Sequence, residues 1–242
     1  MMPGGRSLQV SMPAAGNPEL GILTLIWKVD LHVHTLYSGD CLTRLPALIA
    51  ACRRKGLSKI AITDHNTIAG ALAAQELAPD LIIVGQEIDT TQGELIAYFL
   101  REEVPKDLTP QETITHLREQ GAVISVPHPF ESLRPSALAR GALLEIVDQV
   151  DALEVFNGRC LLQRDNRQAR EWADRYGKLA TAGSDAHTLW EVGRGYVELP
   201  PFDGPEEFLQ SLAQGKVGGR SNGLWVHFPS TIAKPLRQLG WL

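Results

Sequence analysis

The sequence predicts an α/β protein in which parallel strands are wrapped by helices, a (β/α) barrel. Strand, loop and helix alternate about seven times along the chain, the pattern that builds parallel sheets. The strands read as continuous apolar runs, as strands covered on both faces do. Roughly 220 patterned residues fit a barrel better than a small open sheet, although both allow the alternation. The whole chain is 242 residues with 44% hydrophobic content, enough for one domain with a sizeable core. Residues 1–21 read as a loose tail, rich in Pro, Gly and Ser and without the apolar stretch of a secretory signal. Residues 22–242 read as a single domain with an irregular C-terminal segment.

In chain order, the apolar run Ile22–Val29 predicts a first strand ending at Asp30-Leu31-His32-Val33-His34-Thr35. Thr43 is expected to cap a helix over 44–55, in which Leu45, Leu48, Ile49 and Cys52 fall at helical spacing and which Gly56 stops. Strand 58–63 runs into Asp64-His65-Asn66, a helix over 68–77 follows, and strand 81–84 ends at Gly85-Gln86-Glu87. Residues 95–100 make another strand. Thr109-Pro110 opens a helix that stops at Gly121. Strand 122–126 ends in Pro127-His128-Pro129, and 131–149 is expected to be helical with a break at Pro135. Strand 151–156 leads into Asn157-Gly158-Arg159, and a long helix over 160–176 ends at Gly177. Strand 178–181 leads into Gly183-Ser184-Asp185-Ala186-His187, before a short strand at 196–199 and a helix at 205–214.

The chemistry-bearing residues gather at the C-terminal ends of separate strands. They are His32 and His34, Asp40 just beyond, then His65, Glu87, His128, Asp185 and His187. In a barrel these ends open onto one face, where active sites are built. Residues i and i+2 of a strand share a face, so the imidazoles of His32 and His34 can reach one point. Five of the seven histidines (His32, His34, His65, His128, His187) lie at these ends. All eight side chains are of types that bind zinc, manganese or iron, and a bridging carboxylate would let them serve two or three ions. Glu87 is the expected bridge. Asp64 is expected to orient the backbone, His116 to be solvated on its helix, and His227 to pack beside Trp225 and Phe228. Cys41 reads as a small buried thiol next to Asp40. Arg159 and Arg194 follow strand-end loops, where either could hold a phosphate oxygen or simply lie at the surface.

The net charge of −5, with scattered basic residues, gives no sign of a nucleic-acid surface. Three separated cysteines point to a reducing compartment, and no apolar run is long enough for a membrane span. A cytoplasmic protein with a small-molecule substrate is expected, and oligomeric state stays open.

In their order, DLHVHT, SGD, TDHN, GQE, PHP and GSDAH resemble the motifs of the polymerase-and-histidinol-phosphatase (PHP) family, over roughly residues 28–222. The resemblance implies a distorted seven-stranded, TIM-like (β/α) barrel carrying two or three divalent ions (Zn, Mn or Fe). It implies that His32, His34, Glu87 and Asp185 share one ion. Glu87 then bridges to a second with His128, and Asp40, His65 and His187 hold a third. The sequence departs from the family twice. Its acid after the first motif is one residue late, at Asp40. Glu94 also stands where many members have a histidine, which makes Glu94 a further candidate ligand. Asn157 lies in a Glu-Val-Phe-Asn run similar to the family's and is a candidate to orient ligand or substrate.

The expected activity is hydrolysis of small phosphorylated molecules, by attack of a metal-bound hydroxide flanked by Asp185, His187 and His65. Exonuclease or phosphodiesterase activity and a non-catalytic, metal-stabilised binding module are the alternatives.

Overall fold

The computed structural model describes residues 25–134 and 136–223. Its elements are β1 (Trp27–Val33), α1 (Leu45–Arg54), β2 (Lys59–Ile62), α2 (Ala69–Leu77), β3 (Ile82–Thr90), β4 (Gly93–Tyr98), α3 (Pro110–Glu119) and β5 (Val123–Val126). There follow α4 (Arg140–Ile146) with a 3-10 turn at Val147–Gln149, β6 (Ala152–Asn157), α5 (Gln163–Tyr176), β7 (Leu179–Gly183), β8 (Gly195–Leu199), α6 (Gly204–Leu212) and β9 (Lys216–Gly219). Among the described residues no helix is long and apolar enough to cross a membrane.

The sheet order is β7-β6-β5-β4-β3-β2-β1-β8-β9. Beyond its last residue, β7 continues onto the far edge of β1. There the amide of Asp185 donates to the His32 carbonyl at 2.8 Å and that of His34 to the Ala186 carbonyl at 3.0 Å. Strands β1–β7 thus close the expected seven-stranded barrel, while β8 pairs antiparallel with the lower half of β1 and carries β9.

The barrel is distorted for a local reason. Strands β3 and β4 join through Thr91-Gln92 alone, and so short a connection can link only antiparallel neighbours. β4 is accordingly antiparallel to β3 and to β5, where uniform parallel pairing was expected. β3 also runs past Glu87 to Thr90, so Glu87 lies inside a strand. At the hairpin, Gly93 has φ +128°, and a Cβ there would meet the Leu138 backbone at 2.3 Å.

Other expectations shift in detail. Thr43 does not cap α1. Its hydroxyl donates to the His187 carbonyl at 3.2 Å, and Arg44 occupies the cap position without a side-chain bond. Thr109 does cap α3, in a reciprocal capping box with Glu112. Only Arg140–Gln149 of the 131–149 region is helical, and β9 stands where an irregular segment was expected, its few apolar residues giving no strand signal. The proposed tail 1–21, the start of the run at 22–24, Pro135 and His227 lie outside the described residues.

Two apolar layers follow from strand alternation. Val29, Leu31, Ala61, Ile83, Ile96, Val123 and Ala152 fill the interior, which Phe208 and Leu212 of α6 share. Ile60, Ile62, Val84, Leu95, Ile124 and Leu153 face the helices, packing with Leu48, Leu117 and Trp172. The β1–β2 register shifts between Asp30 and Val33. Leu31 belongs to the inner layer below the shift and Val33 to the outer layer above it, so the irregularity turns His32 and His34 inward.

Closure depends on Asp30 and Gly183. The buried Asp30 carboxylate accepts from the Ser184 amide (2.8 Å), the Ser184 hydroxyl (2.5 Å) and the Gly193 amide (2.8 Å). A Cβ on Gly183 would lie 2.1 Å from the Cβ of His32 and 2.8 Å from its amide nitrogen. Gly183→Ala is therefore expected to destabilise the fold by about 1–3 kcal/mol through overpacking. A lowered urea midpoint at unchanged slope would register this, and an unchanged midpoint would contradict it.

Candidate metal centre

Glu87 is the focus. Its carboxylate is fully buried, with Oε2 lying 3.3 Å from each of His32 Nε2, His34 Nε2 and His65 Nδ1. Its Oε1 lies 3.1 Å from His128 Nε2. Asp185 Oδ1 is 3.4 Å from His34 Nε2 and 3.8 Å from His32 Nε2. Asp40 Oδ2 lies 3.2 Å from His187 Nε2 and 3.5 Å from His65 Nε2. Glu94 Oε2 is 3.6 Å from His128 Nε2. The eight residues selected from the sequence, and Glu94, thus converge on one cluster. The backbone bends sharply to present two of them, with φ of +29° at His128 and +53° at Asp185.

The donor set fits divalent ions. His32 Nε2 and His34 Nε2 face each other at 3.1 Å, an approach that leaves room for at most one proton between two ring nitrogens. Donors bound about 2.0–2.1 Å from one ion in a tetrahedron lie about 3.3 Å apart, close to the separations around His32, His34 and Glu87. Asp40 Oδ1, Asp185 Oδ1 and Glu94 Oε2 are buried without a hydrogen-bond partner among the described residues. A cation resolves the cost of such groups.

Supporting residues set the tautomers. His32 Nδ1 lies 3.0 Å from Glu154 Oε1, so its N–H points at that carboxylate and Nε2 is left for an ion. Glu154 Oε2 accepts from the His128 amide (2.8 Å) and from Asn157 Nδ2 (2.9 Å). Asn157 Nδ2 also reaches Asp185 Oδ2 at 3.2 Å, and the Ser38 hydroxyl lies 3.3 Å from His34 Nδ1. Asp64 accepts from the amide and the hydroxyl of Thr35, both at 2.6 Å, fixing the turn after β1. Cys41 donates from Sγ to the His34 and His187 carbonyls, and burial pushes its thiol up to about 12, so it is a neutral tether.

Burial works against every charge here; the partners prevail at Glu87, Asp185, Asp40 and His65, and burial prevails at His187 and Glu94. It would raise the Glu87 carboxyl, but His32 and His65 hold it well below the usual range. It would likewise raise Asp185, which Arg134 and His32 pull down, and Asp40, which His187 and His65 pull down. His65 is carried up to about 10, its desolvation outweighed by Glu87 and Asp40. His187 falls to about 4, through burial and then the charges of His34 and Arg159. Glu94 rises to about 7, through burial and repulsion by Glu87.

Of the three residues expected to meet substrate, Asn157 sits beneath the donors. Arg159 is buried beside them, with Nη1 2.7 Å from His187 Nδ1 and Nε 3.2 Å from Glu191 Oε1. Arg194 is turned away and stacks on Trp190, its guanidinium carbon 3.4 Å from the ring centroid. The loop before it is tied to the end of α1, where Lys55 Nζ donates to the carbonyls of Leu189, Trp190 and Val192. Sequence reasoning missed Glu154 and Arg134. Glu154 was findable as a carboxylate inside an apolar strand. Arg134, with Nη2 2.6 Å from Asp185 Oδ2 and Nε 2.9 Å from Glu131 Oε2, lies in a loop with no pattern to announce it.

Sequence comparison assigns this centre to a known class: residues 30–183 match the PHP domain, and residues 163–217 match the PHP-associated C-terminal family. The chain belongs to the PHP domain family. It is 39% identical over 195 residues to an uncharacterized protein of Methanocaldococcus jannaschii, covering 76% of this chain and 78% of that one. A probable phosphatase of Citrobacter koseri is 27% identical, over 79% of this chain and 93% of its own. The fold is similar to that of a two-domain protein containing a predicted PHP-like metal-dependent phosphoesterase from Bacteroides vulgatus. The TM-score is 0.67 at 19% identity, covering 90% of this chain and 70% of that one.

Protonated His65 must lose its proton to become a ligand. With its pKa carried up to about 10, an ion that took His65 as a ligand at pH 7 would expel a proton, and its affinity would rise with pH up to that value. Calorimetric titration in buffers of different ionisation enthalpy is expected to show net proton release at pH 7, and none would separate His65 from the ions.

Proposed function

We propose that the protein is a metal-dependent phosphoesterase hydrolysing small phosphorylated molecules. The observation that carries this reading is the convergence of five imidazoles (His32, His34, His65, His128, His187) and four carboxylates (Asp40, Glu87, Glu94, Asp185) on one buried cluster, with guanidinium groups beside it. The probable phosphatase of Citrobacter koseri supports the same reaction class. His32, His34, Glu87 and Asp185 would hold one ion, His128 with Glu87 a second, and Asp40, His65 and His187 a third. Zinc, manganese and iron all suit these donors. Bound divalent ions supply an activated water at near-neutral pH and neutralise charge on phosphoryl oxygens.

The chain's own residues supply the positioning. Glu154 keeps the His32 Nδ1–H engaged and Asn157 steadies Asp185, while Arg159 donates to His187 Nδ1, a contact that would give way when an ion takes Nε2. Arg134 takes the role expected of Arg194. Its side chain keeps 19% exposure while touching Asp185, so it can offer N–H groups to a phosphate entering from solvent. A cavity of about 390 Å³ beside Asp40 and His187, lined by Leu42, Ala47 and Leu189, gives an apolar leaving group a place to rest.

Metal-loaded protein is expected to hydrolyse a chromogenic phosphomonoester, and Asp185→Ala to lose both the activity and bound ion. No hydrolysis by wild type loaded with manganese, zinc or iron would overturn the reading. Arg134→Ala is expected to retain its ions while kcat/KM falls about 10–100-fold, mostly through KM, as for loss of hydrogen bonds to a charged group. Arg134→Lys should recover part of the loss, and an unchanged KM in the alanine variant would remove Arg134 from substrate binding.

A further inference from the structure

The donors around Glu87 are unevenly distributed. On its Oε2 side stand the ring nitrogens of His32, His34 and His65, each at 3.3 Å. On its Oε1 side stand one ring nitrogen, from His128 at 3.1 Å, and the carboxylate of Glu94, whose Oε2 is 3.6 Å from the same nitrogen. Asp185 Oδ1, 3.4 Å from His34 Nε2, adds a carboxylate to the first side, so imidazoles outnumber the added carboxylates there and do not on the second.

The hairpin explains how Glu94 arrives. In the β3–β4 register Glu87 pairs with Ile96, so Glu94 is the diagonal neighbour of Glu87. Glu94 shares a strand face with Ile96, which belongs to the inner layer, so it points into the barrel. The loop carrying Arg134 seals this corner, because the Glu94 amide donates to the Ser136 carbonyl and the Ala139 amide to the Gln92 carbonyl. The result is two carboxylates side by side on neighbouring strands with almost no solvent, Glu94 being only 4% exposed. Glu94 Oε2 has no hydrogen-bond donor among the described residues. Arg134, the nearby cation, is occupied by Asp185 and Glu131. His65 Nδ1, 4.0 Å from Glu94 Oε1 and 3.3 Å from Glu87 Oε2, borders both positions, while its other nitrogen faces Asp40.

Imidazole favours zinc and iron, whereas carboxylate oxygen suits manganese and magnesium. We infer that Glu87, Glu94 and His128 form a position selective for a hard, oxygen-preferring divalent ion such as Mn²⁺, beside an imidazole-rich position that retains Zn²⁺ or Fe²⁺. The protein then carries a mixed centre in which Glu94 decides which ion takes the second place. Zinc binds most such sites more tightly than manganese, so the selectivity is relative: the zinc preference is weaker at the carboxylate-rich position than at its neighbour.

This inference rests on the reading of the cluster as an ion site but not on phosphoester hydrolysis, and its test reads metal content. Metal-free wild type, Glu94→Gln and Glu94→His would each be dialysed against limiting Zn²⁺ with excess Mn²⁺. Bound metals would be counted by elemental analysis, and bound Mn²⁺ followed by its paramagnetic resonance spectrum. Wild type is expected to hold both metals. Glu94→Gln should bind Mn²⁺ about tenfold or more weakly while retaining Zn²⁺, the scale of loss seen when ligand support is removed. Glu94→His should exchange Mn²⁺ for a second Zn²⁺. The same Mn-to-Zn ratio in all three proteins would overturn the inference, as would wild type binding zinc alone. Loss of every ion from both variants would also overturn it, by showing that Glu94 acts on the fold. Selective Mn²⁺ binding without hydrolysis would leave the inference standing and remove the phosphoesterase reading.

Discussion

The structure depends on keeping an ionised carboxylate, Glu87, at the centre of a barrel where it has no access to water. A buried charge costs several kcal/mol unless partners replace its hydration. Here the partners are histidines recruited from β1, the turn after β2 and the turn after β5, so satisfying one carboxylate draws strand ends together. The imidazoles in turn need acceptors, which Glu154 and Asp185 provide. Each polar group is tolerable only because the others are present, a network with much to lose from any single deletion. The adjacent ring nitrogens and unpartnered carboxylate oxygens are the groups that a divalent ion would relieve.

The scaffold resolves a conflict between alternation and aim. Strict alternation would bring either Leu31 and Val33 or His32 and His34 to the inside. The register shift in β1 permits Leu31 to pack in the barrel core and both histidines to face the centre above it. Positive φ at His128 and Asp185 has the same origin: a chain leaving a strand must turn abruptly to bring a short side chain back over the barrel mouth. These bends concentrate at the centre, where the surrounding hydrogen bonds can hold them.

Most of the donors were legible in the sequence because strand ends are. His32 and His34 announce themselves by spacing, and His65, His128, Asp185 and His187 each close an apolar run. Alternation also determines the fold class, but it does not report strand direction: the strand at 95–100 was legible, and its antiparallel course was not, because its two-residue connection lies within an ambiguous polar stretch. The position of Glu94 beside Glu87 follows from that hairpin register alone. Loops were the least legible. Arg194 looked well placed, yet it stacks on Trp190 in a loop tied to Lys55, while Arg134 reaches Asp185 from a segment with no periodicity. Side chains on loops are aimed by tertiary contacts that the local sequence does not encode.

The seam between β7 and β1 has a consequence for biosynthesis. His32 lies near the start of the barrel and Asp185 near its end, so the first and last strands must meet before both can touch the same ion. A ribosome-bound chain that has emerged only as far as β6 has His32, Glu87 and His128 outside the exit tunnel but no complete cradle. An ion shared by His32 and Asp185 would thereby find its full set of ligands only once nearly all of the domain is available, and would latch a closure that spans most of the chain.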